Sequence, residues 1–107
     1  MNELRESSFS ELLLFFVGRR KRAIVTGDSM RPTLRPNDQI AYAPHHTPAV
    51  GNIVIAQHPT DSTQKIIKRV IVIRDETVYL RGDNPAASTD YPAVPHSNIL
   101  GVVTSRL

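Results

Sequence analysis

Lys65-Ile66-Ile67-Lys68-Arg69-Val70-Ile71-Val72-Ile73 is rich in β-branched residues, and it decides the fold class. Written as a strand, it places Ile66, Lys68, Val70 and Val72 on one face and Ile67, Arg69, Ile71 and Ile73 on the other. Shorter segments of the same character surround it: Ala23–Thr26, Gln39–Ala43, Asn52–Gln57, Thr77–Arg81 and Ile99–Thr104. Pro, Asn, Asp or Gly separate them, and Pro36-Asn37-Asp38 and Gly82-Asp83-Asn84-Pro85 carry turn chemistry. The expected fold is therefore mainly β, a small curled β-sheet or partial barrel.

The 107 residues leave room for one domain, and 40% apolar with 21% charged residues is ordinary globular composition. Eight prolines against five glycines fit short segments and stiff corners. With no cysteine, a disulfide framework, a thiolate zinc site and a cysteine nucleophile are all excluded. The same absence suits a reducing compartment, so a cytoplasmic location is expected. The net charge of +3 is concentrated in Arg19-Arg20-Lys21-Arg22 and in Lys65, Lys68, Arg69 and Arg74. No helix-turn-helix pattern or Gly-aromatic motif accompanies that charge, six aromatics without Trp make no stacking platform, and nucleic-acid binding is not expected.

Ahead of the strands, Asn2 to Gly18 reads as one short helix, capped by Ser8 or Ser10 and ended by Gly18. Its apolar run, Leu12 to Val17, falls far below the roughly 20 residues of a membrane span. No small-residue cleavage site follows it, which argues against a secretory signal. The helix either docks on the domain or rests on a bilayer surface through Phe15 and Phe16, with residues 12–22 giving weak peripheral contact. Residues 1–22 thus form a helix and basic junction, and residues 23–107 the β domain.

Three segments could carry chemistry. Gly27-Asp28-Ser29-Met30-Arg31-Pro32-Thr33-Leu34 leaves a strand at a turn, where a hydroxyl and backbone N–H groups can converge as a nucleophile and oxyanion hole need. A serine there is also an ordinary turn residue. Lys68 is flanked on its own face by Ile66 and Val70, an apolar setting that disfavours the ammonium. A lysine base must be neutral near pH 7, and moving it there from about 10.4 takes about 4 kcal/mol of differential stabilisation. The competing reading is a lysine that snorkels to the sheet edge. Gly82-Asp83-Asn84-Pro85-Ala86-Ala87-Ser88-Thr89-Asp90 either satisfies itself through Asx and Ser/Thr turns or braces a catalytic lysine.

Taken together and in this order, the segments resemble the type I signal peptidases and their relatives, serine proteases with a Ser–Lys dyad. Gly27-Asp28-Ser29-Met30-Arg31-Pro32-Thr33 resembles the nucleophile box and Ile67-Lys68-Arg69-Val70 the lysine box. Gly82-Asp83-Asn84 with Ser88 and Asp90 resembles the third box, and Val50-Gly51-Asn52-Ile53-Val54 a strand opening of relatives. The resemblance covers about residues 24–104. It implies Ser29 as nucleophile, Lys68 as general base, Ser88 as the hydroxyl that orients the lysine and Asp90 as loop support. Asp28 and Met30 are implied to support the oxyanion site and its loop. It further implies a signal-peptidase-type catalytic core, no cofactor, no metal, and a protein or peptide substrate bound as an extended strand.

The departures are specific. Gly27 stands where some bacterial members have a serine that joins the oxyanion hole. Pro85 replaces an arginine often found after Gly-Asp-Asn. Tyr91-Pro92 replaces the Ser-Arg that commonly follows the aspartate, so the ion pair of that arginine is expected to be missing. Without a membrane anchor or a large second β domain, the chain is most similar to the short, soluble nickel-type superoxide dismutase maturation proteases. Two alternatives are a self-cleaving regulatory protease of the SOS-response or phage-repressor type, and a non-catalytic peptide-binding module. A metal site built on His45, His46, His58 and His96 lacks both helical spacing and cysteine support, so these histidines are expected to be exposed loop residues.

Overall fold

The computed structural model describes residues 19–107. The helix expected over Asn2–Gly18, with its membrane-facing phenylalanines, lies outside the described residues. Seven strands follow: β1 (Lys21–Ile24), β2 (Gln39–Ala43), β3 (Ile53–Gln57), β4 (Lys65–Ile73), β5 (Thr77–Arg81), β6 (Tyr91–Pro95) and β7 (Ile99–Arg106). They form one antiparallel sheet in the order β1-β2-β7-β3-β4-β5-β6. The domain is mainly β, as expected, and its sheet is open, ending at β1 on one side and β6 on the other.

Both faces of the sheet are apolar, which explains the dense runs in β3 and β4. Val54, Ala56, Ile66, Val70, Val78, Leu80, Val94 and Val102 make one core. Val25, Met30, Leu34, Ile40, Ile53 and Val103 make the other, in which the 25–34 segment supplies residues that no strand provides. Ile53 and Val54, neighbours in β3, enter different cores, as strand alternation requires.

Two boundaries differ from the sequence reading. β1 opens at Lys21, inside the basic run, and ends at Ile24. It is the sheet edge, so its charged side chains stay exposed while its backbone pairs with β2. β6 is a strand that the sequence reading lacks, because Pro92 and Pro95 fall within five residues. Proline is tolerated there since β6 is the other edge and needs donors toward β5 alone.

Bulges adjust the long strands. Val70 pairs with Leu80 and Val72 with Tyr79, so Ile71 is an extra residue in β4. The slip takes Val72 off the face it was expected to share with Lys68 and leaves it and Ile73 more than a third exposed. Residues 65–70 keep the alternation, and Lys68 stays between Ile66 and Val70 on a buried face.

Candidate active site

Lys68 is 6% exposed although it carries a primary amine, so β4 holds that amine away from water. Ile66 and Val70 flank it along the strand and Val54 sits opposite it on β3. The Tyr91 ring lies beside it, with its centroid 5.7 Å from Nζ. His58 packs edge-on against that ring at 5.4 Å. Nζ donates to Ser88 Oγ at 3.1 Å. Burial in this apolar setting holds the Lys68 pKa below its ordinary value, and the negative charge of Asp90 opposes the shift without cancelling it.

Ser88 is positioned to serve the amine. Its Oγ also accepts from the Gly82 N–H at 3.0 Å and donates to the Thr89 carbonyl at 3.3 Å. A hydroxyl with its own proton committed to a carbonyl presents lone pairs to Lys68, which fixes where Nζ sits. Gly82 makes this approach possible, because a Cβ there would collide with both Ser88 Oγ and the Ser29 carbonyl oxygen.

Ser29 lies on the turn that follows β1 and is half-buried. The turn is tied down from beneath and from the side. Met30 is 1% exposed and sits in the core below. The Asn84 N–H donates to the Ser29 carbonyl at 2.8 Å, and Asn84 Nδ2 donates to the Asp28 carbonyl at 3.1 Å. The Asp28 carboxylate turns outward and pairs with Arg31. Gly27 has φ +73°, a left-handed conformation that a serine adopts only under strain. The glycine at this departure from the resembled motif is therefore demanded by the turn.

Arg69, the neighbour of Lys68 on the opposite face, is equally buried. Its Nε and Nη2 grip the two oxygens of Asp83 at 2.8 and 2.7 Å, and Nη1 reaches the Gly51 carbonyl at 2.7 Å. Thr33 Oγ1 donates to Asp83 Oδ2 at 2.6 Å. Burial pushes the Asp83 carboxyl up, but the hydrogen bonds from Arg69 and Thr33 together outweigh it and hold the pKa below the usual carboxylate value. This network locks the 82–84 turn to both β4 and the Ser29 turn. Sequence reading missed it because its members are 14 and 50 residues apart. The signal that could have found it is a cation in mid-strand, which burial obliges to find an anion.

Asp90 sits beside the site on the surface. It accepts from the Tyr79 hydroxyl at 3.1 Å and pairs with Arg81 at 3.5 Å. The arginine expected to be missing after Asp90 is thus replaced by one from β5.

Ser29, Lys68 and Tyr91 line one cleft of about 370 Å³, together with Arg22–Thr26, Met30, Tyr42, Ile55 and Gln64–Ile67. Among the described residues Ser29 Oγ has no hydrogen-bond partner, and Lys68 Nζ is bonded to Ser88 instead. The fold brings the two residues to a common cavity without closing a hydrogen bond between them. Two strand edges border the cleft. Among the described residues β1 is the sheet edge, and Lys65–Lys68 of β4 pair only with β3, since the β5 ladder begins at Arg69.

His58 is half-buried and caps its own turn, with Nδ1 accepting from the Thr60 and Asp61 N–H groups. His45, His46 and His96 line a separate small cleft, and of the four histidines expected to be exposed only His45 and His46 are, since His58 and His96 are half-buried. Among the described residues no three His, Asp or Glu side chains are grouped to hold a metal ion, and no helix is long and apolar enough to cross a membrane.

No curated protein and no solved structure matches the chain significantly. A family model does, the one described as Peptidase S24-like, over residues 19–104. That span holds the Ser29 turn, the buried lysine and the Gly82–Asp90 loop, and it makes this chain a member of the Peptidase S24-like family.

Proposed function

We propose that this protein is a serine endopeptidase in which Ser29 is the nucleophile and Lys68 the general base. The observation that carries the reading is Lys68 itself: a buried amine with a lowered pKa, oriented by Ser88 and lining the same cleft as Ser29. Neutral Lys68 takes the hydroxyl proton as Ser29 Oγ bonds to a peptide carbonyl carbon. The carbonyl π electrons move to oxygen, and backbone N–H groups of the 29–30 turn are the candidate donors to that oxyanion. Lys68 then passes the proton to the leaving amine as the C–N bond breaks, and water hydrolyses the acyl-enzyme. The substrate lies extended between the two strand edges, where main-chain bonds supply affinity and the cleft selects side chains.

The substrate class we assign is a protein bearing an N-terminal propeptide or leader, with the nickel-type superoxide dismutase precursor as its specific candidate. Support for that subgroup is sequence resemblance alone. Family membership also favours a second reading, self-cleavage of a regulatory protein. Incubating candidate precursors with wild-type and Ser29→Ala protein, and reading new N-termini by mass spectrometry, separates these. A cut in trans that needs Ser29 supports the processing peptidase. Cleavage confined to this chain, at a rate independent of its concentration, supports the second reading. No cut in either setting leaves a peptide-binding module.

A further inference from the structure

The walls of the Ser29–Lys68 cleft carry charge of one sign. Arg22 stands on β1, Lys65 and Lys68 on β4, and among the described residues no Asp or Glu lines the cavity. Lys65 is exposed at the start of β4 and makes no ion pair among the described residues. Lys68 is buried and bonded to Ser88. The two lysines therefore divide the work of a cation in this cleft, one held for proton transfer and one presented to whatever enters.

We propose that Lys65 is a specificity-determining residue, selecting a substrate with an Asp or Glu about three residues from the scissile bond. The inference rests on the peptidase reading above for the place of the scissile carbonyl, beside Ser29 and Lys68. Lys65 lies three residues along β4 from Lys68, about 10 Å at strand rise and on the alternate face of the strand, so at the cleft rim it meets a peptide side chain that points to that face. A peptide extended along the 65–68 edge advances at the same rise. Its residue near Lys65 is thus about three positions from the bond that is cut. Distance matters for the chemistry as well. A carboxylate against Lys68 would stabilise its ammonium and disable the base, whereas one about 10 Å away acts on it much more weakly. The same walls disfavour a Lys or Arg at that position by like-charge repulsion.

Affinity selection of a random decapeptide library on immobilised Ser29→Ala protein, with bound peptides sequenced by mass spectrometry, tests this. Selected peptides should be enriched in Asp and Glu at one position, about fivefold over Asn and Gln. The enrichment should vanish in Ser29→Ala/Lys65→Gln and turn to Lys and Arg in Ser29→Ala/Lys65→Glu. Thermal melts confirm that each variant is folded, as an exposed position allows. An absence of enriched peptides, a charge-blind selection, or an acidic preference that survives Lys65→Glu overturns the proposal. Incubating the selected peptides with wild-type protein tests the underlying reading separately. Cuts about three residues from the acid are expected. Peptides selected through Lys65 yet left intact would refute the peptidase reading and leave Lys65 as the determinant of a binding site.

Discussion

Lys68 and Arg69 are adjacent, cationic and equally buried, yet they point to opposite faces of β4 and meet opposite treatment. Arg69 receives a bidentate carboxylate and a carbonyl. Lys68 receives one neutral hydroxyl and an aromatic ring, while the nearest influential carboxylate, Asp90, is engaged by Tyr79 and Arg81. A buried cation with an anion of its own serves structure. One deprived of an anion has its proton loosened, and that is what a general base requires.

The largest effect should come from breaking the Lys68 side of this contrast. Lys68→Met keeps the volume and the burial but removes the base, so peptide cleavage should fall about a thousandfold or more. Stability should move the other way. Because the folded pKa of Lys68 lies below its unfolded value, the charged lysine costs stability at neutral pH. That cost disappears only as pH rises through the folded pKa toward the ordinary value of about 10.4. Thermal melting of Lys68→Met at pH 7 should therefore show a Tm no lower than that of wild type. Lys68→Arg should be as inactive as Lys68→Met, since guanidinium does not deprotonate at usable pH.

Breaking the Arg69 side should give the inverse phenotype. Asp83→Ala leaves a buried guanidinium without its anion, and urea unfolding should show a loss of about 3–5 kcal/mol. The depressed pKa of Asp83 sets the pH window. Its stabilisation is complete above the ordinary carboxylate value near 3.9 and is lost as pH falls through the lower folded value. The acid-unfolding limb of wild type should be correspondingly flatter in Asp83→Ala.

Gly82→Ala joins the two sides, because its methyl group would push Ser88 from Lys68 and the Ser29 turn from Asn84. We expect about 1–3 kcal/mol of destabilisation, with a proportionally larger loss of cleavage, measured side by side at a temperature where both proteins are folded. Asp90→Asn should be mildest. Its surface pair with Arg81 is solvent-exposed and screened, so its loss should change stability little. Removing the charge that favours the Lys68 ammonium should shift the rising limb of the pH–rate profile to lower pH.

Much of the site was legible because its determinants are local. Alternation in β4 places Lys68 between Ile66 and Val70, and the three boxes bring Ser29, Lys68 and Ser88 to attention in chain order. What escaped depends on pairing between distant segments. Asp83 reads as a turn residue until Arg69 is seen to grip it, and Arg81 reads as a strand end until Asp90 folds back beside it. β6 was hidden by its prolines, and with it the placement of Tyr91 over Lys68, since position along a sheet edge is a property of topology. The departures Gly27 and Tyr91 also changed meaning. One answers a left-handed turn and the other covers the amine.

The central claim is that β4 holds one of two adjacent cations ready to lose its proton. Titrating Lys68 by NMR in Ser29→Ala protein, with the Nζ and Cε resonances assigned through Lys68→Arg, measures this without any substrate. The account predicts a midpoint clearly below the ordinary lysine value of about 10.4, lowered further by Asp90→Asn and absent from the spectrum of Lys68→Arg. A Lys68 that titrates at or above the ordinary value would contradict it, since such an amine stays protonated where a general base must be neutral.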